Sequence, residues 1–148
     1  MLNRIRKLMA GGAAHMKPDA ADEMRLAAAA LLVEVATVDE NFDSVERARI
    51  HGFVSERFGL SDADAAALIA AAEREVDGSV QLYAFTSAIS SGFTYDERVE
   101  LMQTLWQVVL ADGHVDPHED QLLRRIAGLI YVTDRDRGLA RKRAQGDL

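Results

Sequence analysis

Shifted by 73 residues, this chain lies over itself, and that self-overlay restricts its fold more than any other feature. Val38-Asp39-Glu40-Asn41-Phe42-Asp43-Ser44-Val45-Glu46 falls on Ala111-Asp112-Gly113-His114-Val115-Asp116-Pro117-His118-Glu119. Three acids coincide: Asp39 with Asp112, Asp43 with Asp116, and Glu46 with Glu119. Apolar positions on either side agree as well: Leu32 with Leu105, Val35 with Val108, Phe42 with Val115, Ile50 with Leu123, Phe53 with Ile126, and Phe58 with Tyr131. The repeated unit reads as helix, acidic turn, helix. Residues 26–58 are expected to superpose on 99–131.

Hydrophobic spacing and capping residues extend that reading to an all-α fold of about seven helices. The first covers about 22–37, with Met24, Ala27, Ala28, Leu31, Leu32 and Val35 at helical spacing. The second covers about 44–58 and is closed by Gly59, a residue that accepts the left-handed conformation at a helix C-terminus. A third opens at Ser61 and runs to about Val76. A shorter fourth carries Leu82, Phe85 and Ile89 and is broken at Ser90-Ser91-Gly92. The fifth opens with the capping pair Thr94 and Glu97, ends near Ala111, and is apolar nearly all round. Pro117 starts the sixth, and 134–144 form a basic seventh. The first and fifth helices, equivalent under the repeat, are expected at the centre, with Met102 and Trp106 in the core. No stretch alternates as a strand does.

Composition then excludes whole classes of function. With 148 residues the chain is one domain's worth, divided here into a basic N-terminal segment and joint at 1–18 and a helical domain at 19–148. It has no cysteine, which removes disulfides, thiolate nucleophiles and thiolate metal sites together. Seventeen bases against 24 acids give a net charge of −7, which repels a phosphate backbone, so no nucleic acid is expected as partner. Arg4, Arg6 and Lys7 interrupt Leu2, Ile5 and Leu8, unlike the unbroken apolar core of an export signal. This implies a cytoplasmic protein, with peripheral membrane contact open to the basic N-terminus. A protein partner is expected.

The six shared acids admit two readings. Asp43 and Asp116 fall at helix N-cap positions, with Glu46 and Glu119 three residues on, where a capping-box glutamate bonds back to the amide of the cap. Asp39 and Asp112 end helices, where the dipole disfavours negative charge, although aspartate also serves turns there. The alternative is a hard cation, calcium or magnesium, held by Asp39, Asp43 and Glu46 and again by Asp112, Asp116 and Glu119. Asp39-x-Asn41-x-Asp43 matches the opening of an EF-hand loop. Its later positions fail: Ser44 or Pro117 stands where glycine is needed, and Ile50 or Leu123 where glutamate is needed. His114 and His118 straddle a helix start and make a poor zinc pair. His15 and His51 have no partner in the sequence. No phosphate loop, HExxH or Gly-x-Ser-x-Gly elbow is present, and no catalytic residue is assigned.

The second turn, Val108-Val109-Leu110-Ala111-Asp112-Gly113-His114-Val115-Asp116 with Glu119 and Leu123, resembles the repeated element of TerB, the tellurite-resistance protein B family. The likeness extends over about 21–141. The first turn departs from it, with Glu40 where the family has glycine. The resemblance implies a helical protein, cytoplasmic or at the inner membrane face, linked to tellurite and other stress responses. It implies metal-linked complexes and no enzymatic activity. Matching residue by residue, it makes Asp39, Glu46, Asp112 and Glu119 the functional acids. The leading expectation is a non-enzymatic module that binds a divalent cation or a partner through its acidic turns. The rival is an interaction scaffold without metal, docking on protein or membrane through its basic segments. An enzyme using paired carboxylates comes third.

Overall fold

The computed structural model describes residues 20–37, 43–78, 82–113 and 115–146. Among these there are seven α-helices and no strand: α1 Ala20–Ala36, α2 Ser44–Phe58, α3 Asp62–Gly78, α4 Leu82–Gly92, α5 Tyr95–Val109, α6 Pro117–Leu129 and α7 Asp134–Ala144. The basic segment and joint read from the sequence lie outside them.

Each helix start whose cap is described carries an oxygen side chain that accepts from the first-turn amides, which would otherwise lack partners. The Asp64 amide donates to Ser61 Oγ at 3.1 Å, the Glu97 amide to Thr94 Oγ1 at 3.2 Å, and the Asp136 amide to Thr133 Oγ1 at 3.2 Å. At its far end α2 closes on Gly59, whose φ of 64° lies in the left-handed region. The Gly59 and Leu60 amides both donate to the Ser55 carbonyl there.

The core is organised around α1, which packs against α2, α3, α4, α5 and α6. Every residue from Leu26 to Val33 is buried, as are Val35 and Ala36. Four consecutive alanines, Ala27 to Ala30, keep the radius of α1 small, so neighbours approach it from all sides. From Leu26 to Ala36 the helix is thus enclosed on nearly every side, with Glu34 partly exposed. The second central helix, α5, packs against α1, α2, α6 and α7 and buries Leu101, Met102, Leu105, Trp106, Val108 and Val109. It keeps a partly exposed polar side with Gln103 and Gln107.

Three boundaries differ from the sequence reading. Helix α3 continues through Asp77 to Gly78, past the expected end near Val76. Helix α4 continues through Ser90 and Ser91 to Gly92, because the lack of a side chain there admits Met24 of α1. A Cβ on Gly92 would overlap the Met24 thioether. Helix α5 stops at Val109 and tightens into a 3₁₀ turn at Leu110–Asp112.

Helix ends follow the 73-residue shift where the acidic turns lie: α1 ends at Ala36 and α5 at Val109, while α2 starts at Ser44 and α6 at Pro117. The correspondence fails at the far end. Phe58 is helical and packs on the core, whereas Tyr131, paired with it in the overlay, is 73 % exposed with φ 60°. Helix α6 ends two residues earlier than the overlay requires, and Ile130 and Val132 are buried instead.

Candidate functional site

The two acidic turns are built alike at the residues that start the second helix of each unit. In the first, the Glu46 amide donates to Asp43 Oδ1 at 2.8 Å and the Asp43 amide donates to Glu46 Oε1 at 3.2 Å. In the second, the His118 amide donates to Asp116 Oδ1 at 2.7 Å and the Asp116 amide donates to Glu119 Oε1 at 2.9 Å. Both are complete capping boxes, and Pro117 occupies a first-turn position whose missing N–H leaves no bond unmade. The capping reading of these four acids is therefore correct as far as it goes.

Burial distinguishes these boxes from the third one among the described residues. The Thr94–Glu97 box has the same two bonds, yet Glu97 is only partly buried and pairs with Arg57. Glu46 is 6 % exposed and Glu119 3 %. That box leaves its glutamate partly exposed, and the acidic turns enclose theirs.

Of the other two shared acids, Asp39 lies outside the described residues and Asp112 is described by its backbone. The residue after Asp112 accounts for the Ala-Asp-Gly order of the motif. Gly113 has φ 94° and donates its amide to the Leu110 carbonyl at 3.0 Å, a conformation that a side chain strains. Among the described residues no group of three His, Asp or Glu side chains is placed to hold a metal ion. His114 also lies outside the described residues.

Cross-helix ion pairs brace both turns with the charges reversed. Arg47, next to Glu46, forms a two-bond pair with Glu73 of α3 at 3.1 and 2.9 Å. Asp120, next to Glu119, lies 3.7 Å from Arg141 of α7 and 3.0 Å from Arg124 on its own helix. Each second helix is thereby tied to the helix that follows it. In the last turn of α1, Glu34 is partly buried, and desolvation raises its carboxyl above the ordinary value of 4.5.

His51 has partners that the sequence did not reveal. Its Nε2 lies 3.2 Å from the Asp62 carbonyl oxygen and its Nδ1 3.4 Å from Ser55 Oγ. The first contact joins α2 to the start of α3, and the second lies within α2. The Asp62 carboxylate is 4.0 Å from Nε2 and open to solvent, so the group lacks the buried acid that orients a catalytic histidine.

No helix among the described residues is long and apolar enough to cross a membrane. No curated protein and no solved structure matches the chain. The family model described as Tellurite resistance protein TerB matches residues 25–142, from α1 into α7. On that match, most of the chain's length, the chain belongs to the TerB family.

Proposed function

We propose that this TerB protein is a non-enzymatic cytoplasmic module whose two acidic turns take up a divalent cation, calcium or magnesium. The ligands would be Asp39, Asp43 and Glu46 in the first turn and Asp112, Asp116 and Glu119 in the second. The observation that carries this reading is the burial of Glu46 and Glu119, set against the partly exposed Glu97 in an otherwise equal box. Removing a carboxylate from water is costly, and an enclosed pair of acidic turns is a setting in which a hard cation is favoured beside it. Aspartate at both helix ends, where the dipole opposes it, supports the same reading.

The rival reading is a scaffold without metal, and the completeness of both capping boxes favours it. In that case the basic side chains Arg141, Lys142 and Arg143 at the end of α7, or the basic N-terminal segment, dock on protein or membrane.

Thermal melting with calcium, magnesium, manganese and zinc separates the two. A cation at a hundred times its dissociation constant stabilises the native state by about 2.7 kcal/mol, which at this size raises Tm by about 5–10 °C. Glu46→Gln, Glu119→Gln, Asp39→Asn and Asp112→Asn should abolish most of the rise. The glutamine variants keep the capping geometry, so they should melt normally without metal. No shift at millimolar metal would refute the cation and leave the scaffold.

A further inference from the structure

An open trough of about 340 Å³ lies between α2 and α5, and we propose that a second copy of this chain fills it. Arg49, Gly52, Phe53 and Glu56 of α2 line one side, and Glu100 and Gln103 of α5 line the other. In the pair, the α2 helix of each copy is the ridge that enters the trough of the other. The two α2 helices run antiparallel about a two-fold axis.

Three observations select this occupant. The first is placement. Helix α4 packs on α1 and α6. Under the 73-residue shift α1 corresponds to α5 and α6 to α2, so the surface that α4 covers has its counterpart at the trough. Ala27 and Ala30 of α1 are buried, whereas Glu100 and Gln103, which stand in their places on α5, remain exposed and partly exposed. The described residues thus provide a covering helix for one unit and leave the equivalent face of the other open.

The second is charge. Toward α1 the charges are satisfied within the chain: Arg25 pairs with Asp22, and Arg57 lies against Glu97 and Glu100. Arg49 and Glu56 are exposed and form no ion pair or hydrogen bond among the described residues. They stand seven positions apart, about two turns along one face of α2. An antiparallel α2 centred between Gly52 and Phe53 sets Arg49 of each copy opposite Glu56 of the other. One two-fold axis thereby makes two reciprocal pairs from a single patch, as an isologous interface requires. A parallel arrangement would set like charges together, which is costly.

The third is shape at the midpoint. Gly52 lies in the middle of α2, where glycine weakens a helix. A Cβ there would meet nothing within 4 Å, so packing within the chain does not require the glycine. In the antiparallel register Phe53 of the other copy lies over Gly52, and the lack of a side chain lets the two helices approach closely. Val45, 50 % exposed on the same face, adds apolar contact beyond the charged pairs.

Sedimentation velocity of the full chain over a concentration series tests for the pair. Wild type should pass from monomer to dimer as concentration rises. Arg49→Glu and Glu56→Arg should each weaken the dimer by about tenfold or more, because each alone creates two like-charge contacts. Mixed in equal amounts, the two variants should associate again, since a chain with acids at both positions then faces one with bases at both. Each variant should melt like wild type at dilutions where wild type is monomeric, because neither side chain has a described partner in its own chain. Gly52→Leu should likewise stay folded and lose the dimer. A wild type that is monomeric at every concentration would overturn the proposal and leave the trough to a different protein. A dimer that survives both charge reversals, or a mixture of the two variants that fails to associate, would overturn it as well.

Discussion

Gly92 and Met24 are fitted to one another: the thioether of Met24 fills the space that a Cβ on Gly92 would take. The contact joins the last residue of α4 to the first turns of α1 and explains the glycine at that helix end. Gly92→Ala should therefore push the flexible Met24 thioether aside and destabilise the protein by no more than about 1 kcal/mol, despite the better helix propensity of alanine. Urea unfolding of Gly92→Ala, Met24→Ala and the double variant checks this. The double variant should cost less than the sum of the singles, because the overlap disappears with the methionine side chain. Strict additivity would mean that Met24 does not set the requirement for glycine.

Two other glycines are required by backbone conformation alone. A Cβ on Gly59 or Gly113 meets nothing within 4 Å, so replacement by alanine measures conformational strain without a clash. Gly59, at φ 64°, is inside the left-handed well, and Gly59→Ala should cost about 1–2 kcal/mol. Gly113, at φ 94°, is beyond it, and Gly113→Ala should cost more, up to about 3 kcal/mol. Denaturant midpoints in the reverse order would contradict this account of the second acidic turn.

Glu34 gives a pH signature. Its carboxyl is raised by desolvation, so between 4.5 and the raised value the folded protein binds the proton more tightly than the unfolded chain. Stability from this group therefore falls as pH rises through that window and is lowest above it. Glu34→Gln should melt higher than wild type at pH 7, and the gap should close as pH drops to about 4.5. A gap independent of pH would mean that the substitution acts through packing.

The guanidinium of Arg141 lies 4.8 Å from the ring centre of Trp106, closing α7 over the buried face of α5. Trp106 is the only tryptophan, so its emission reports the contact. Arg141→Gln should shift that emission to the red and cost about 0.5–2 kcal/mol. Arg141→Lys should recover only part of the loss, because an ammonium lacks the flat face that stacks on the indole. Unchanged emission in Arg141→Gln would show that the arginine does not shield the ring.

Much of the fold was legible because local signals agreed with the core. Ser44 to Phe58 and Asp134 to Ala144 were bounded correctly by their caps, and Leu32, Val35, Ile50, Leu105, Val108 and Leu123 are all buried as the overlay requires. What was missed depends on partners distant in sequence. Ser90-Ser91-Gly92 reads as a break until Met24 is placed beside it. Tyr131 looks like a core residue by analogy with Phe58, but the left-handed turn at its own backbone turns it outward. In the acidic turns the capping bonds were legible from spacing. The enclosure of Glu46 and Glu119 was not, since no local pattern records burial.

The position of α1 also sets a timetable for synthesis. The most enclosed helix is among the first made, yet its coverings α5 and α6 are not complete until Val109 and Leu129 have been added. At about 5–20 residues per second, the apolar run from Leu26 to Val33 spends on the order of ten seconds outside any finished core. During that interval α3 and α4 are its available cover. Substitutions that weaken α3 or α4 should therefore reduce the yield of soluble protein from cells more than they reduce the stability of the purified fold.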